Sequence, residues 1–339
     1  MRVLLIGGAG YIGSHVAIAM VEAGHDVVVV DDLSNSNAVA IARVRQITGR
    51  DVPLVIMDAR NDDAVLAALA EEPPIDAIVL LAGLKSVAES VADPLRYYDV
   101  NIGAAISTLK VAAALSIRNV VFSSSATVYG SPADLPVNES SPTSLDLANP
   151  YGKTKRIIEE ILADAAAADP TMKITILRYF NPVGAHTSAL IGEDPQSAPT
   201  NLMPIVARAA AGTLPFVRVF GADYATPDGT GLRDYIDVND LARGHVDAII
   251  HAREGYEIFN LGTGIPVSVL EMISEFERAA DRSIERRVEA RRPGDVAVSV
   301  ADPSKAEARW GWRAEKSIAE SCRSYWAWQT ANPAGYTSA

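Results

Sequence analysis

One cysteine, Cys322, stands in 339 residues, which excludes an internal disulfide framework, and no His or Cys pairs fall at the spacing of a zinc site. No metal is expected. Positive charge is scarce: 30 Lys and Arg against 42 Asp and Glu leave a formal net charge of −12. Nothing here has the basic footprint of a nucleic-acid binder; the acidity serves solubility. No apolar stretch is long enough to span a bilayer. An apolar strand that begins at Arg2 leaves no room for a signal peptide, so a cytoplasmic enzyme without membrane contact is expected. Low-complexity linkers and internal repeats are missing as well. What remains is 49% hydrophobic, enough for one two-lobed globular protein or two modest domains.

Arg2 to Ile6 reads as a strand buried on both faces of a parallel sheet. Gly7-Gly8-Ala9-Gly10-Tyr11-Ile12-Gly13 follows at once. Val16, Ala19, Met20 and Ala23 then recur at helical spacing until Gly24 stops the helix. Val27 to Val30 is the next buried strand, closed by Asp31-Asp32. Strand, glycine turn, helix, strand and acid is the dinucleotide-binding arrangement. Gly7, Gly10 and Gly13 permit a tight turn that brings backbone amides onto a pyrophosphate at the helix N-terminus. Asp31 suits the adenosine ribose hydroxyls and repels a 2′-phosphate. No Lys or Arg lies between Arg2 and Arg43, so NAD is favoured over NADP.

A second constellation lies downstream. Ser123-Ser124-Ser125 closes an apolar strand that starts at Asn119, and Tyr151 and Lys155 stand four apart in Asn149-Pro150-Tyr151-Gly152-Lys153-Thr154-Lys155. Asn149 suits an N-cap and Pro150 a first helical position, so Tyr151 and Lys155 share one helical face. An ammonium near a phenol favours the phenolate, and the Tyr151 pKa is expected to fall toward neutrality. Such a base can take the proton of a sugar or alcohol hydroxyl.

Further strands are predicted over 52–57, 76–81 and 173–178, with helices over 100–115 and 151–168. The fold class predicted is α/β: a doubly wound, Rossmann-like parallel sheet with a smaller C-terminal α/β substrate-binding lobe. An NAD-binding domain is placed at 1–180 and a substrate lobe at 181–339, with the chain free to cross between them. Asp31, Asp58, Gly83 and Ser125 fall at strand carboxyl ends, where ligands bind in such folds. After Asn181 strands are hard to place, and a late amphipathic helix is predicted over 316–329. Trp310, Trp312, Trp326 and Trp328 read as packing residues. The alanine-rich run 163–168 reads as close helix packing, with helices 100–115 and 151–168 available to pack across a dimer.

The Gly-x-x-Gly-x-x-Gly spacing is similar to that of the short-chain dehydrogenase/reductase superfamily, whose catalytic set is Ser, Tyr and Lys. Nearly end to end, the chain resembles the UDP-glucose 4-epimerase (UDP-galactose 4-epimerase) family of its extended branch. The resemblance rests on residues 7–15, Ala82-Gly83-Leu84-Lys85, 123–130, 150–155, 178–186 and Gly192-Glu193-Asp194-Pro195. It continues in Asn201-Leu202-Met203-Pro204, 228–235 and Asn260-Leu261-Gly262. It implies an isomerase of carbohydrate metabolism, acting on galactose, that works as a homodimer on a UDP-sugar.

In the implied cycle, Tyr151 takes the proton of the sugar 4-hydroxyl while hydride leaves C4 for NAD. Ser125 relays the proton and Lys155 binds the nicotinamide ribose. The 4-keto sugar turns over, hydride returns to its other face, and NAD stays tightly bound and is regenerated each cycle. NAD contacts are implied for Tyr11, Ile12, Asp31, Asp32, Leu33, Ser34, Asn35, Ser36, Asp58, Ala59, Leu81, Ala82, Gly83, Leu84, Lys85, Ser125, Tyr151, Lys155 and Phe180. The UDP-sugar is implied to meet Lys85, Ser125, Tyr151, Asn181, Asn201, Leu202, Phe220, Arg233, Arg292, Asp295 and Ser299. Two arginines suit a diphosphate.

Departures from the family pattern include Leu80-Leu81, Val100, Ala104 and Ala105, and Arg218 near the uracil region has no assigned role. At Ser299 a bulky tyrosine goes with enzymes restricted to UDP-glucose and UDP-galactose. The small serine predicts that UDP-GlcNAc and UDP-GalNAc are interconverted too. A UDP-sugar 4,6-dehydratase needs an Asp-Glu pair where this chain has Ala126 and Thr127, which argues against elimination. A 4-epimerase of UDP-glucuronate or of a UDP-pentose is the alternative. A silent NAD sensor does not fit intact Ser125, Tyr151 and Lys155.

Overall fold

The computed structural model describes residues 1–70, 72–132, 134–195, 199–292 and 294–337. Its first half alternates strand and helix: β1 (Arg2–Ile6), α1 (Tyr11–Glu22), β2 (Asp26–Asp31), α2 (Ala38–Thr48), β3 (Leu54–Ile56), α3 (Asp62–Leu69) and β4 (Ala77–Leu80). Two helices run on almost without a break, α4 (Val87–Ala92) and α5 (Pro94–Ala114), before β5 (Asn119–Ser125), α6 (Pro150–Ala168) and β6 (Lys173–Tyr179). Helix α5 begins six residues earlier than predicted. Asp93 caps it by accepting a bond from the Arg96 amide and Pro94 fills the first turn. Strand β3 is shorter than predicted, and Pro53, without an amide hydrogen, precedes it.

Most strands of the second half have two to four residues, too few for sequence patterning, and the two longer ones are broken by charged and polar side chains. The elements are β7 (Asn181–Val183), α7 (Leu202–Ala210), β8 (Val217–Phe220), β9 (Leu232–Asp237), α8 (Val238–Ile250), β10 (Gly255–Leu261), β11 (Pro266–Ser268) and α9 (Val269–Ala280). They are followed by β12 (Arg286–Glu289), β13 (Val298–Ser299), α10 (Ser304–Trp310) and α11 (Ile318–Ala331). Helix α11 starts after Ser317, which forms a reciprocal capping box with Glu320.

Seven parallel strands form one sheet in the order β10-β6-β5-β4-β1-β2-β3. Alternate side chains of β1 divide between its faces: Val3 and Leu5 pack with α1, α2 and α8, while Leu4 and Ile6 pack with α3, α5 and α6. Burial of each such side chain contributes about 1.5–3 kcal/mol. Helices on both faces make this the doubly wound α/β fold. Strand β10, well past residue 180, returns the chain to the large sheet beside β6.

The smaller lobe is built on β9, with β11 antiparallel and β13 and β7 parallel to it, and on the separate β8–β12 pair. Its core gathers Met203, Val206, Met272, Phe276, Tyr325 and Trp328. Trp312 and Trp328 are buried and Trp310 and Trp326 pack against cores, which is the structural role expected of all four. In the alanine-rich run, Ala166 is buried in the core beneath α6. Among the described residues, no helix is long and apolar enough to cross a membrane.

Candidate functional site

The β1–α1 turn opens one wall of a cleft at the carboxyl ends of the large sheet. Gly7 has φ +83°, and a Cβ there would strike the backbone of Ala82, so the turn and the β4 loop approach as closely as glycine permits. A Cβ at Gly10 would meet nothing within 4 Å. Gly10 is also the N-cap of α1 and supplies no side-chain cap, so the first-turn amides are left to an anion. That is a cradle suited to a dinucleotide diphosphate.

Gly7, Gly10, Tyr11, Ile12, Gly13, Asp31, Asp32, Ser34, Asn35, Ser36, Asp58, Ala59 and residues 81–85 all line this cleft. Leu33 sits beside them in a left-handed conformation, φ 60°, its amide donating to Asp31 Oδ1 at 2.9 Å. Asp31 also accepts from the Ala9 amide at 2.9 Å and the Ser36 hydroxyl at 2.7 Å. Its carboxylate therefore shapes the turn as well as facing the cleft. Asp58 is bound by the Arg60 guanidinium, which holds its carboxyl below the usual range. Asn101 supports the far wall, accepting from the Leu84 amide at 2.7 Å and donating to Thr154 of α6 at 3.0 Å.

Ser125, Tyr151 and Lys155 meet where β5 ends over the first turns of α6. Asn149 caps that helix by accepting from the Gly152 amide at 2.8 Å, with Pro150 next. The trio is almost wholly buried, at 9%, 9% and 5% exposure. The shift expected of Tyr151 runs the other way in the structure. Burial pushes its phenol up, and the neighbouring Ser125 hydroxyl pulls it partly back down. Lys155 cannot supply the expected depression. Its Nζ donates to the Ser123 carbonyl at 2.9 Å and lies 5.9 Å from the centre of the Tyr151 ring. Burial draws Lys155 itself down to about 8, against the pull of Glu159.

Within the segment from Asn181 to Ser299, Gly192, Glu193, Asp194 and Pro195 line the cleft. Asn181 begins β7 beside β9. Asn201, the N-cap of α7 before Leu202, donates to Glu193 at 3.0 Å, and Lys85 pairs with the same carboxylate at 3.1 Å. Arg292 lies over the Phe220 ring at 4.6 Å and donates to Asp295 at 3.1 Å. Ser299 of β13 is paired in register with Arg233 of β9. Phe180 lies apart, packed with Val128, Tyr129, Val137 and Ala301. Arg218 is exposed and faces Glu289.

Sequence reasoning missed Asn37, Arg60, Tyr179, Glu193 and Tyr336, all of which line the cleft. It also missed Glu159, Arg178 and Asp234. Asp234 is buried and accepts from the amides of Thr263, Gly264 and Ala301 at 2.8–3.1 Å. A signal for Glu159 was present: it follows Lys155 by one helical turn, on the face turned to the sheet.

The chain and its fold are similar to known proteins. The NAD dependent epimerase/dehydratase family matches residues 3–262. The UDP-glucose 4-epimerase of Bacillus subtilis is 47% identical over 341 residues, covering 100% of both chains. The crystal structure of UDP-glucose 4-epimerase from Bifidobacterium longum in complex with NAD+ and UDP superposes with a TM-score of 0.96 at 49% identity, covering 99% of this chain and 100% of that one. A Stenotrophomonas maltophila UDP-glucose-4-epimerase structure, with bound NAD and formylated UDP-arabinopyranose, gives 0.95 at 47%, covering 98% and 99%. This chain belongs to the NAD dependent epimerase/dehydratase family.

Proposed function

We infer that this chain is an NAD-dependent UDP-hexose 4-epimerase, an isomerase interconverting UDP-glucose and UDP-galactose through a 4-keto sugar. The observation that carries this reading is the buried Ser125–Tyr151–Lys155 trio, joined to the glycine-turn cleft by Tyr179, which pairs in register with Ser125 and lines that cleft. Full-length relatives bearing the UDP-glucose 4-epimerase name support it, and they do not favour a UDP-glucuronate or UDP-pentose enzyme. Gly10, Tyr11, Ile12 and Gly13 would present first-turn amides to the NAD diphosphate, while Gly7, whose own amide bonds the Val30 carbonyl at 2.8 Å, keeps the turn tight. Asp31 would take the adenosine ribose, and the cleft walls at 32–36, 58–59 and 81–85 would enclose the rest. The large sheet thus serves NAD, and the 181–299 segment, with Arg233 and Arg292, serves the UDP-sugar. When bound, NAD supplies a hydride acceptor that gives the hydride back within the same cycle.

The chain's own part is proton handling and exclusion of water. Tyr151 takes the 4-hydroxyl proton and later returns it. Ser125, beside the phenol, shares that proton with the sugar oxygen. Lys155 brings a positive charge beneath the trio. Burial makes each of these interactions stronger than it would be in water.

The direct test is incubation of the purified holoenzyme with UDP-galactose and no added NAD. UDP-glucose without net NADH is expected; no product, or stoichiometric NADH, sinks the reading.

Lys155 sets a pH dependence. Its ammonium is present below about 8 and lost above, so the positive charge and donor it would offer the nicotinamide ribose weaken as pH rises, and kcat is expected to descend there. Stability moves the opposite way. Native Lys155 loses its proton before the unfolded chain does, so stability rises with pH from about 8 up to the ordinary lysine value. A kcat that stays level through this window overturns the assignment.

Ser299 carries a small side chain and pairs in register with Arg233, which supports extending the substrate range to the N-acetyl sugars UDP-GlcNAc and UDP-GalNAc. Ser299→Tyr is expected to cut turnover of UDP-GalNAc at least about tenfold relative to UDP-galactose. Product analysis of both sugars checks it, and an unchanged ratio counts against the pocket assignment.

We also propose a cytoplasmic homodimer. Supporting it, α5 carries Leu95 at 79% and Ile106 at 43% exposure, apolar surface that a second copy would cover.

A further inference from the structure

Tyr336 lies beyond the end of α11, some three hundred residues from the glycine turn, yet it lines the same cleft. Its hydroxyl accepts from the Gly192 amide and donates to the Gly192 carbonyl, both at 3.1 Å. Its own amide donates to Asp194 Oδ2 at 2.8 Å, and its carbonyl accepts from Asn37 Nδ2 at 3.2 Å. Asn37 caps α2 directly after the Asp31–Ser36 wall. Three segments distant in sequence, around residues 37, 192 and 336, are thus tied together at one mouth of the cleft.

The tie is reinforced from behind. Arg43 of α2 lies over the rings of Tyr336 and Trp328, at 5.2 and 5.8 Å, and donates to the Leu190 carbonyl at 2.8 Å and to Asn332 at 2.6 Å. Asn332 in turn donates to the Ala189 carbonyl at 2.9 Å. A Cβ at Gly192 would come within 2.5 Å of the Trp328 ring, so the 189–194 segment passes flush against the aromatic pair with no room for a side chain. This is a built contact among three segments, whose ends would otherwise be free to separate.

We propose that Tyr336 is a positioning residue that clasps the mouth of the cofactor cleft and sets how slowly NAD leaves. The proposal rests on the cleft being the NAD site. A ligand held in the cleft escapes only when its walls part, and the C-terminal segment bonds the wall at 189–194 to the wall at 31–37. A cofactor that is regenerated every cycle gains from slow release, because an enzyme that loses it stops until it is refilled.

The experiment measures release of NAD from the purified holoenzyme, trapping free NAD with a dehydrogenase that reduces it, alongside urea unfolding of the same samples. Tyr336→Ala removes two hydrogen bonds and the ring packed against Arg43 and Trp328. It is expected to speed release about tenfold or more while the unfolding midpoint stays near that of the wild type. Tyr336→Phe keeps the ring and the backbone bonds, decides the matter should the alanine variant not fold, and is expected to speed release several-fold. A folded variant that releases NAD at the wild-type rate overturns the clasp, as does faster release accompanied by an equal loss of global stability. A wild-type protein that holds no NAD overturns the cofactor reading and the clasp with it.

Discussion

Replacing Tyr151 with Phe is expected to lower kcat about 10³-fold while NAD stays bound. The substitution removes one oxygen and leaves the ring, the Asn149 cap and the Lys155 bond to the Ser123 carbonyl in place, so the fold has no reason to change. What is lost is the group that exchanges the 4-hydroxyl proton. Positioned acid–base groups typically contribute about 10²–10⁴ in rate. The upper part of that range is expected because Tyr151 serves in both directions of the cycle, and because the site is buried, which leaves water poorly placed to replace it. Initial rates with UDP-galactose, together with the NAD content of the purified variant, check the result. Activity within tenfold of the wild type would remove Tyr151 from the proposed role.

Replacing Arg178 with Ala is expected to cost about 3–5 kcal/mol of stability. Arg178 of β6 and Glu159 of α6 are 3% and 0% exposed and form a two-point ion pair, with N–O distances of 2.9 and 2.6 Å. The Ser124 hydroxyl adds a third bond to Glu159 at 2.6 Å. Removing the guanidinium leaves a carboxylate in the core without its countercharge, and that desolvation penalty outweighs any lost packing. The double variant Arg178→Met with Glu159→Leu removes both charges and is expected to recover most of the loss. Urea unfolding of both variants separates the two cases. A single variant within 1 kcal/mol of the wild type, on the scale of an ordinary exposed pair of about 0–1 kcal/mol, would show that the pair is not what holds α6 to β6. Because Ser124 and Lys155 neighbour this pair, the single variant is also expected to weaken turnover.

Much of the site was legible from local pattern. The glycine turn, Asp31, the Asn149-Pro150 helix start and the four-residue spacing of Tyr151 and Lys155 are short-range features, and short-range geometry follows from the backbone chemistry of the residues themselves. Six strands of the large sheet were legible for the same reason, since strands buried on both faces read as continuous apolar runs; the seventh, β10, was not, its run being broken by Glu257 and Asn260. The strands of the smaller lobe were not legible either: most have two to four residues, too few for a period to register, and β9 is broken by Arg233 and Asp234.

The electrostatics of the trio were misjudged from sequence, and the cause is physical. Spacing places an ammonium and a phenol on one face, but it does not reveal that both are buried or that the ammonium turns to the Ser123 carbonyl. Desolvation opposes charge on both groups, and in the fold it outweighs their attraction.

Local pattern in the sequence reaches the doubly wound fold, the glycine turn and the meeting of Ser125, Tyr151 and Lys155, because these depend on residues within one or two adjacent elements. The tertiary structure alone decided which distant residues complete the site. Glu193 reaches Lys85 across 108 positions, and Tyr336 reaches Asn37 across 299. No local pattern encodes such contacts: they exist only once both cores have packed and brought the separate segments to the mouth of one cleft.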